Sequence, residues 1–497
     1  MAARSAAETR TSTGERRELC RRDFIRTSLA AGASAVVGDR LLAQAPARSG
    51  LPDAPADLIR AIADGDLRAV SRMLDARPEL RRARDSAGRS VFVLAHLNHR
   101  PEIAADVLRR GIDLDLVEAV LAEDQPRFVE LAKAHPGQVN ADHPIGGTAY
   151  YAAGLLGRLD MVWPLNRWAA DPNANPRGAG GITALRAALD HPDKTLAATV
   201  AYRILVDAGD PNAPQKENDT VLHGAAALGD AELVRALIRR GSDVAAHNAS
   251  GQSPLDVAIA RGHDNVADVL RNHERVPRMI ASSRFAYDAN GAEYRSPDDL
   301  DLPPLVINHF GEVCHYNFAE SKAIFKKHAA VIHGNATWNE LGVEACAHME
   351  QPTWARYFLE RGAPMALTTA LAVNDVASAR RLLSEDRARI HERGPHDFAL
   401  MWYPQIAGGH VELAELLLEF GADIDEHKMG TTCLHKAAYN GQDDLVVFLL
   451  DRGSAVNRIG HSDFSSLRGT PLDWALARGQ AKTTAILRDH GARRHEG

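Results

Sequence analysis

Apolar and polar residues follow a helical period in the segment 220–273. Thr220 precedes a short alanine-rich stretch that ends at Gly229, and Leu233 and Leu237, each followed by another aliphatic residue, mark the stretch after it. Aliphatic residues at i, i+1, i+4 and i+5 share one face of a helix. Threonine favours the start of a helix, and glycine accepts the left-handed conformation that ends one. The pattern predicts a pair of short helices whose apolar face must be buried against copies of the same unit.

The same pattern starts again at Ser253. Thr220 to Ser253 and Gly229 to Gly262 are both steps of 33 residues. A 33-residue period with a T-P-L-H-x-A-like start resembles the ankyrin repeat. The resemblance implies an all-α solenoid of stacked helix–turn–helix units with finger-like turns, and a concave face that binds partner proteins.

The strength of this resemblance varies along the chain. It is strong over residues 148–273 and 405–491 and weaker over 57–145 and 305–400, where the TPLH-like start is missing. About a dozen repeats fit the pattern, in one array or in two arrays separated by an irregular segment. We predict a linker at 48–56, an N-terminal array at 57–274, an irregular linker or insert at 275–304, and a C-terminal array at 305–497 that is divergent at 305–400.

The N-terminus carries a motif of a different kind. Arg21-Arg22-Asp23-Phe24-Ile25-Arg26 precedes a mild apolar stretch and the small-residue sequence Ala45-Pro46-Ala47. This order is typical of a signal peptide, and the paired arginines resemble the twin-arginine (Tat) export motif, with Ile and Arg where Leu and Lys are more usual. We predict a signal peptide at 1–47, cleaved before Arg48, and a periplasmic or secreted protein. The alternative is an unstructured tail with chance arginines, on a protein that stays in the cytoplasm.

Charge and hydropathy limit the kinds of partner that we expect for this chain. The chain carries a formal net charge of −7, and residues 1–47 hold a surplus of three positive charges, so cleavage would leave −10. Nucleic-acid binding needs clustered Lys and Arg against the phosphates, so we expect no nucleic-acid partner. Outside the first 47 residues there is no apolar run of about 18 residues, the length that a membrane span requires. We expect a monomer with a protein partner.

Cysteines and motifs give no sign of a cofactor. The four cysteines lie far apart and form no CxxC motif: Cys20, Cys314, Cys346 and Cys433. A Gly-rich phosphate loop, G-x-S-x-G, H-E-x-x-H and an EF-hand loop are all missing from the sequence. The sequence therefore predicts a non-catalytic protein without cofactor, metal or catalytic residues, although dispersed catalytic residues leave no motif.

The divergent segment at 305–400 contains residues that could form a metal or acid/base site. Four histidines and one cysteine lie in its first part: His309, Cys314, His315, His328 and His333. Glu340, Glu344 and His348 follow, and they would share one helix face at i, i+4 and i+8 if this stretch were helical. Zinc takes such N, O and S ligands, but the spacing matches no zinc motif. An enzyme with a metal or acid/base site at 305–400 is therefore the second hypothesis, against a degenerate repeat whose histidines cap and hydrogen-bond. A repeat spacer in an envelope assembly is the third.

Two repeated histidines have a structural explanation. His223 and His435 occupy the histidine position of the TPLH-like start. The ankyrin resemblance implies that this histidine braces the turn by hydrogen bonds. We expect the same role here, and no ligand.

Partner-binding residues are expected where the repeat does not fix residue identity. These places are the finger tips and the two positions before the glycine that ends the first helix. In the C-terminal repeats, where the last finger is five residues longer than usual, aromatic and arginine side chains have the composition of an interface hot spot. The predicted contact residues are Lys428, Met429, Thr431, Tyr439, Asn440, Arg458, Phe464 and Arg478. Trp474 is predicted to lie in the core.

Overall fold

The computed structural model describes residues 51–174, 181–207, 209–276, 300–428, 430–461 and 467–495. The predicted signal peptide, most of the irregular segment at 275–304, and Met429 and Phe464 lie outside the described residues. The described chain falls into two compact units, here called the first unit (51–276) and the second unit (300–495).

The first unit is a series of paired helices. Each pair consists of a first helix and a second helix, joined by a tight turn, as the hydrophobic pattern predicts. The pairs are α1 Ala56–Asp64 and α2 Leu67–Ala76, α3 Val91–Leu97 and α4 Pro101–Arg109, α5 Leu116–Leu121 and α6 Gln125–Ala134, α7 Ala149–Leu155 and α8 Leu159–Arg167, α9 Ala184–Ala188 and α10 Lys194–Asp207, α11 Val221–Leu228 and α12 Ala231–Arg239, and α13 Pro254–Ala260 and α14 Asp264–Arg271. Short 3-10 turns span Pro78–Arg82, Pro136–Gln138, Lys216–Asn218 and His273–Arg275.

The second unit continues in the same way, with two short antiparallel hairpins in its fingers. Its helices are α15 Pro304–Cys314, α16 Phe318–Lys327, α17 Gly342–His348, α18 Pro352–Leu359, α19 Leu367–Ala372, α20 Val376–Glu385, α21 Tyr403–Ile406, α22 Val411–Glu419, α23 Cys433–Asn440, α24 Asp443–Asp451, α25 Pro471–Ala477 and α26 Ala481–Asp489. Strands β1 Asn335–Ala336 and β2 Glu340–Leu341 pair with each other, as do β3 Gly460–His461 and β4 Arg468–Gly469. The 3-10 turns are Ala329–His333, Arg387–His391, Pro395–Asp397 and Leu400–Trp402.

The helix boundaries follow the capping residues. The Thr220 side chain accepts a hydrogen bond from the backbone N–H of His223 at the start of α11, and Ser253 and Asp256 form a reciprocal capping box at the start of α13. Such caps satisfy backbone donors that the first turn leaves without partners. Gly229 ends α11 with φ +87°, in the left-handed region that favours glycine.

Small residues let successive first helices approach closely. Gly154, Ala226 and Ala438 all lie six residues after their N-cap threonine, and all three are buried. A Cβ atom on Gly154 would lie 2.3 Å from the carbonyl oxygen of Ala184, the first residue of α9. That neighbour is backbone and cannot rotate away. The contact therefore excludes a larger residue at position 154.

The repeated histidines are braces, which confirms the structural explanation. In the first unit, His223 Nδ1 lies 2.8 Å from Thr220 Oγ1 and its Nε2 lies 2.9 Å from the carbonyl oxygen of Gln252. In the second unit, His435 Nδ1 lies 2.9 Å from Thr432 Oγ1, and its Nε2 lies 3.0 Å from the carbonyl oxygen of Arg458. Each ring thus joins the start of its own first helix to the following finger. Trp474, as predicted, is a core residue with 2% exposure.

Prediction for the helix contact. We expect Gly154→Ala to destabilise the protein by about 1–3 kcal/mol, the usual cost of overpacking, because the gain in helix propensity of up to about 1 kcal/mol is smaller than the clash. The measurement is urea unfolding followed by circular dichroism. Gly137→Ala is the control, since no atom lies within 4 Å of its added Cβ. Equal midpoints for Gly154→Ala and the wild type would contradict the close contact.

Prediction for the histidine brace. Burial lowers the pKa of His435 from 6.5 to about 4. Between these values the unfolded chain binds the proton more tightly than the folded chain does. The contribution of neutral His435 to the free energy of unfolding is therefore complete above about pH 6.5. It is lost as the pH falls towards 4, at up to about 1.4 kcal/mol per pH unit.

The stability difference between the wild type and His435→Gln should accordingly shrink on acidification. Denaturant unfolding at several pH values between 7.5 and 4.5 measures it. His410→Gln, at an exposed histidine in the same unit, controls for the replacement itself. A difference that stays constant with pH would show that protonation of His435 is not coupled to folding.

Candidate functional site

Three of the predicted contact residues lie together at the C-terminal ends of the first helices α23 and α25. Tyr439 is half-buried, and Asn440 and Arg478 are exposed. The Arg478 guanidinium lies 4.8 Å from the centre of the Tyr439 ring, in cation–π distance. Asn440 donates a hydrogen bond of 3.0 Å to Gln405 Oε1 on the preceding repeat. We call Tyr439, Asn440 and Arg478 the C-terminal patch.

Core aromatic rings support this patch from below. The ring of Tyr439 meets Trp474 edge-on at a centroid distance of 5.9 Å. The Lys436 ammonium lies 5.2 Å from the Trp402 ring and 5.4 Å from the Trp474 ring. Alternating rings and cations thus run across three successive repeats. Rigid aromatic anchors with neighbouring cations are the composition that binding hot spots favour.

Two other predicted contact residues are buried, which corrects the sequence prediction for them. Lys428 is 5% exposed, and its Nζ donates a hydrogen bond of 2.7 Å to the carbonyl oxygen of His396. Thr431 is 1% exposed and donates to the carbonyl oxygen of His461 at 2.8 Å. Both side chains tie neighbouring fingers together, so neither is available to a partner. Arg458 is half-buried in the last finger.

The first unit has a groove on the corresponding surface. Its volume is about 450 Å³, and it runs along the first helices α9, α11 and α13. Ala227, Leu228, Ala260 and Arg261, which the sequence assigns to the concave face, line it. Arg186 also lines the groove and forms hydrogen-bonded ion pairs of 2.7 Å with Asp190 and 2.6 Å with Asp219. Apolar and charged side chains thus line the groove together.

A buried group of ionisable side chains lies in the divergent part of the second unit. His315, Glu340, His348 and His396 each present one ligand-type atom, and these atoms all lie within 4.8 Å of one another. We call these four residues the His–Glu cluster. Glu340 is at its centre: its carboxylate oxygens lie 3.3 Å from His315 Nε2, 3.0 Å from His348 Nδ1 and 3.6 Å from His396 Nε2.

Four different elements deliver these residues. His315 ends α15, Glu340 lies in strand β2 of the finger hairpin, His348 is the last residue of α17, and His396 lies in the 3-10 turn Pro395–Asp397. Their exposed fractions are 4%, 0%, 7% and 4% in that order. The cluster therefore links successive repeats inside the core.

The sequence prediction for this segment is wrong in two respects. Glu340, Glu344 and His348 do not share a helix face, because Glu340 belongs to the hairpin and the helix begins only at Gly342. Glu344 points elsewhere: it accepts hydrogen bonds from the backbone N–H of Leu341 and from Thr368 Oγ1. Its role is that of a helix cap.

His396 is the member that sequence reasoning missed. It lies 48 residues after His348, in a finger without the TPLH-like start, so no local spacing relates it to the others. The two residues belong to different repeats, and only the stacking of those repeats brings them together.

The electrostatics of the cluster centre on the carboxylate. Burial raises the pKa of Glu340, but the three surrounding imidazoles outweigh it and hold the pKa of this carboxyl well below its usual value. Trp338 Nε1–H adds a hydrogen bond of 2.6 Å to Oε2. The pKa of Glu340 is thus lowered although its side chain is fully buried.

The remaining histidines and cysteines of this segment lie outside the cluster. His309 pairs with Glu320 at 2.9 Å, and hydrogen bonding to Glu312 raises its pKa. Within the described part of the chain, Cys314, Cys346 and Cys433 are buried free thiols. No described helix is both long and apolar enough to cross a membrane.

Comparison with known proteins identifies the repeats. A family model described as Ankyrin repeats (3 copies) matches residues 197–278 and 367–495. Together these matched segments cover less than half of the chain. The cluster spans both matched and unmatched sequence, because only His396 falls within the second segment.

Several curated proteins are similar over parts of the chain. Human palmitoyltransferase ZDHHC13 is 35% identical over 85 residues, which is 17% of this chain and 13% of the relative. The ARF GTPase-activating protein Git of Drosophila melanogaster is 35% identical over 108 residues, 19% of this chain and 15% of that protein. The E3 ubiquitin-protein ligase KEG of Arabidopsis thaliana is 24% identical over 304 residues, 56% of this chain and 17% of the relative.

The chain thus spans less than a fifth of the length of each of these relatives, and their enzymatic names are not carried over to it. The family match and the stacked helix pairs agree with each other and with the 33-residue period of the sequence. The chain is therefore an all-α protein that carries ankyrin repeats and folds as an ankyrin-repeat solenoid.

Proposed function

We propose that this chain is a non-catalytic protein that binds a partner protein along the first-helix surface of its repeats and through its finger loops. Ankyrin repeats indicate protein–protein interaction. The observation that carries the proposal is that the residue positions free of repeat constraints line the groove of the first unit and form the C-terminal patch of the second. The partner is a protein, since the acidic chain lacks the basic surplus that nucleic acid requires.

The side chain of Tyr439 in the C-terminal patch is held by contacts with its neighbours. Tyr439 packs on Trp474 and carries Arg478 on its other side, so its ring is already held in place. A side chain that is ordered before binding loses less conformational entropy when the partner arrives. An ordered aromatic ring beside an arginine can thus contribute affinity out of proportion to its area.

The enzyme hypothesis is less favoured by the geometry. The chemically richest group in the described residues is the His–Glu cluster, and none of its four side chains is more than 7% exposed. A catalytic site needs a reacting atom within reach of substrate. A cluster enclosed between repeats is better suited to holding the fold together.

Prediction for the binding surface. Tyr439→Ala and Arg478→Ala should each weaken partner binding by on the order of 1–2 kcal/mol, which is about 5–30-fold in Kd. Isothermal titration calorimetry with a partner captured from the periplasmic fraction provides the measurement. Thermal stability should change little in Arg478→Ala, because this side chain is exposed.

The control is Arg488→Ala, which removes an exposed arginine from the second helix α26. Affinity should stay unchanged in this variant. Equal loss in Arg478→Ala and Arg488→Ala would mean that overall charge, and not the C-terminal patch, determines binding.

We further propose export by the twin-arginine route. The support is the sequence Arg21-Arg22-Asp23-Phe24-Ile25-Arg26, followed by an apolar stretch and a small-residue cleavage site. This route would carry the repeats across the membrane already folded. Folding before export is feasible for a solenoid, because the local contacts of helical repeats form quickly.

Prediction for export. Replacing Arg21 and Arg22 by lysine together keeps the charge and should leave the protein in the cytoplasm at its full length. Cell fractionation and immunoblotting measure both location and cleavage. Replacing Arg16 and Arg17 by lysine is the matched control and should leave export intact. Full export of the Arg21/Arg22 double variant would refute the proposal.

A further inference from the structure

We propose that the His–Glu cluster is a structural metal site, in which His315, His348, His396 and Glu340 bind one divalent transition-metal ion, with zinc as the first candidate. Three imidazoles and one carboxylate are a ligand set that zinc accepts in four-coordinate sites. Imidazole nitrogen also suits copper, iron and nickel, so the ligand set defines the class of metal. The inference does not depend on the proposed partner binding.

The distances within the cluster suit a tetrahedral ion. Zinc binds nitrogen and oxygen at about 2.0–2.2 Å, which places neighbouring ligand atoms of a tetrahedron about 3.3–3.6 Å apart. Glu340 Oε2 lies 3.3 Å from His315 Nε2 and 3.6 Å from His396 Nε2, and Glu340 Oε1 lies 3.0 Å from His348 Nδ1. All four ligand atoms fit within 4.8 Å of one another. Small shifts of the side chains are enough to surround one ion.

The groups behind the ligands orient them as metal sites require. His315 Nδ1 lies 2.9 Å from the carbonyl oxygen of Gly311, an acceptor, so this nitrogen carries the proton and Nε2 faces the cluster with its lone pair. Trp338 Nε1–H donates to Glu340 Oε2 at 2.6 Å. Lys428 Nζ fixes the backbone of His396 through its carbonyl oxygen. Metal-bound histidines and carboxylates typically have such outer partners.

The charge balance also favours a cation. With Nδ1–H of His315 directed at a backbone carbonyl, the lone pair of its Nε2 faces the buried carboxylate of Glu340 at 3.3 Å. Two electron-rich atoms therefore face each other inside the core, and a cation between them removes their repulsion. A divalent ion would satisfy the lone pairs of all four ligands at once.

The enclosure of the cluster indicates a structural role. The four ligands come from α15, β2, α17 and the turn Pro395–Asp397, and each is at least nine-tenths buried. Catalytic zinc keeps an open position for water or substrate, whereas structural zinc is closed by protein ligands. The ion would join repeats that lack the TPLH-like brace found at His223 and His435.

The first test is made on the full chain, purified without a polyhistidine tag. Elemental analysis should find about one zinc per chain, and the protein stripped with chelator and reloaded with Co²⁺ should show the visible absorption of a four-coordinate cobalt site. Reloading with Zn²⁺ should raise Tm by on the order of 5–10 °C when zinc is in roughly 100-fold excess over Kd. These measurements do not require any variant to fold.

Variants then assign the ligands. His396→Ala and Glu340→Gln should weaken zinc affinity by more than about 100-fold, since loss of an outer partner alone typically costs 10–100-fold. Trp338→Phe, which removes that outer hydrogen bond and keeps an aromatic ring, should fall in the 10–100-fold range. His435→Gln is the matched control, because it removes a buried histidine of the same unit outside the cluster and should retain the metal.

Two outcomes would overturn the site. One is a wild-type protein that folds, takes up no stoichiometric Zn²⁺ and gives no four-coordinate Co²⁺ spectrum, which would leave a hydrogen-bonded imidazolium–carboxylate network in its place. The other is zinc binding that persists in both His396→Ala and Glu340→Gln, or that is lost equally in His435→Gln. Neither outcome bears on partner binding at Tyr439 and Arg478.

Discussion

The close contact between successive first helices determines how this chain is built. A single helix pair cannot bury its own apolar face, so each repeat depends on its neighbour for a core. At Gly154 the contact excludes a side chain, and Ala226 and Ala438 are small residues at the same position, six residues after the N-cap. Other repeats carry larger residues there: Leu121 and Leu189 are buried, whereas Ile259 in α13 and Leu476 in α25 are 52% and 37% exposed. The closeness of the helix contact therefore differs from repeat to repeat.

Local patterns were sufficient to predict most of the fold. The caps at Thr220 and Ser253, the glycine at 229 and the brace at His223 act within one repeat, and the sequence shows them directly. Prediction failed at two places in the second unit. The hairpin of β1 and β2 interrupts what reads as one helix face from Glu340 to His348. The side chain of Lys428 turns inward to the carbonyl of His396, a contact between two fingers that no periodic signal in the sequence marks.

The divergent repeats replace one kind of polar brace with another. A TPLH-like repeat buries a single histidine whose two ring nitrogens both have hydrogen-bond partners, as at His435. The repeats between 305 and 400 bury more charge, including the pair of Arg389 and Glu392 at 2.6 Å and the carboxylate of Glu340. Buried polar groups stabilise a unique packing only when their partners are complete. Sequence divergence in this region therefore leads to a polar core that must be assembled from several repeats at once.

Assembly from several repeats also connects the metal proposal with the export proposal. A ligand set spread over α15, β2, α17 and the turn at His396 exists only in the folded chain, so metal binding and folding of these repeats are one coupled equilibrium. A chain that crosses the membrane already folded would have to close this cluster before export. Under both proposals, the metal is acquired in the cytoplasm, and the ion present there during folding determines which one the exported protein carries.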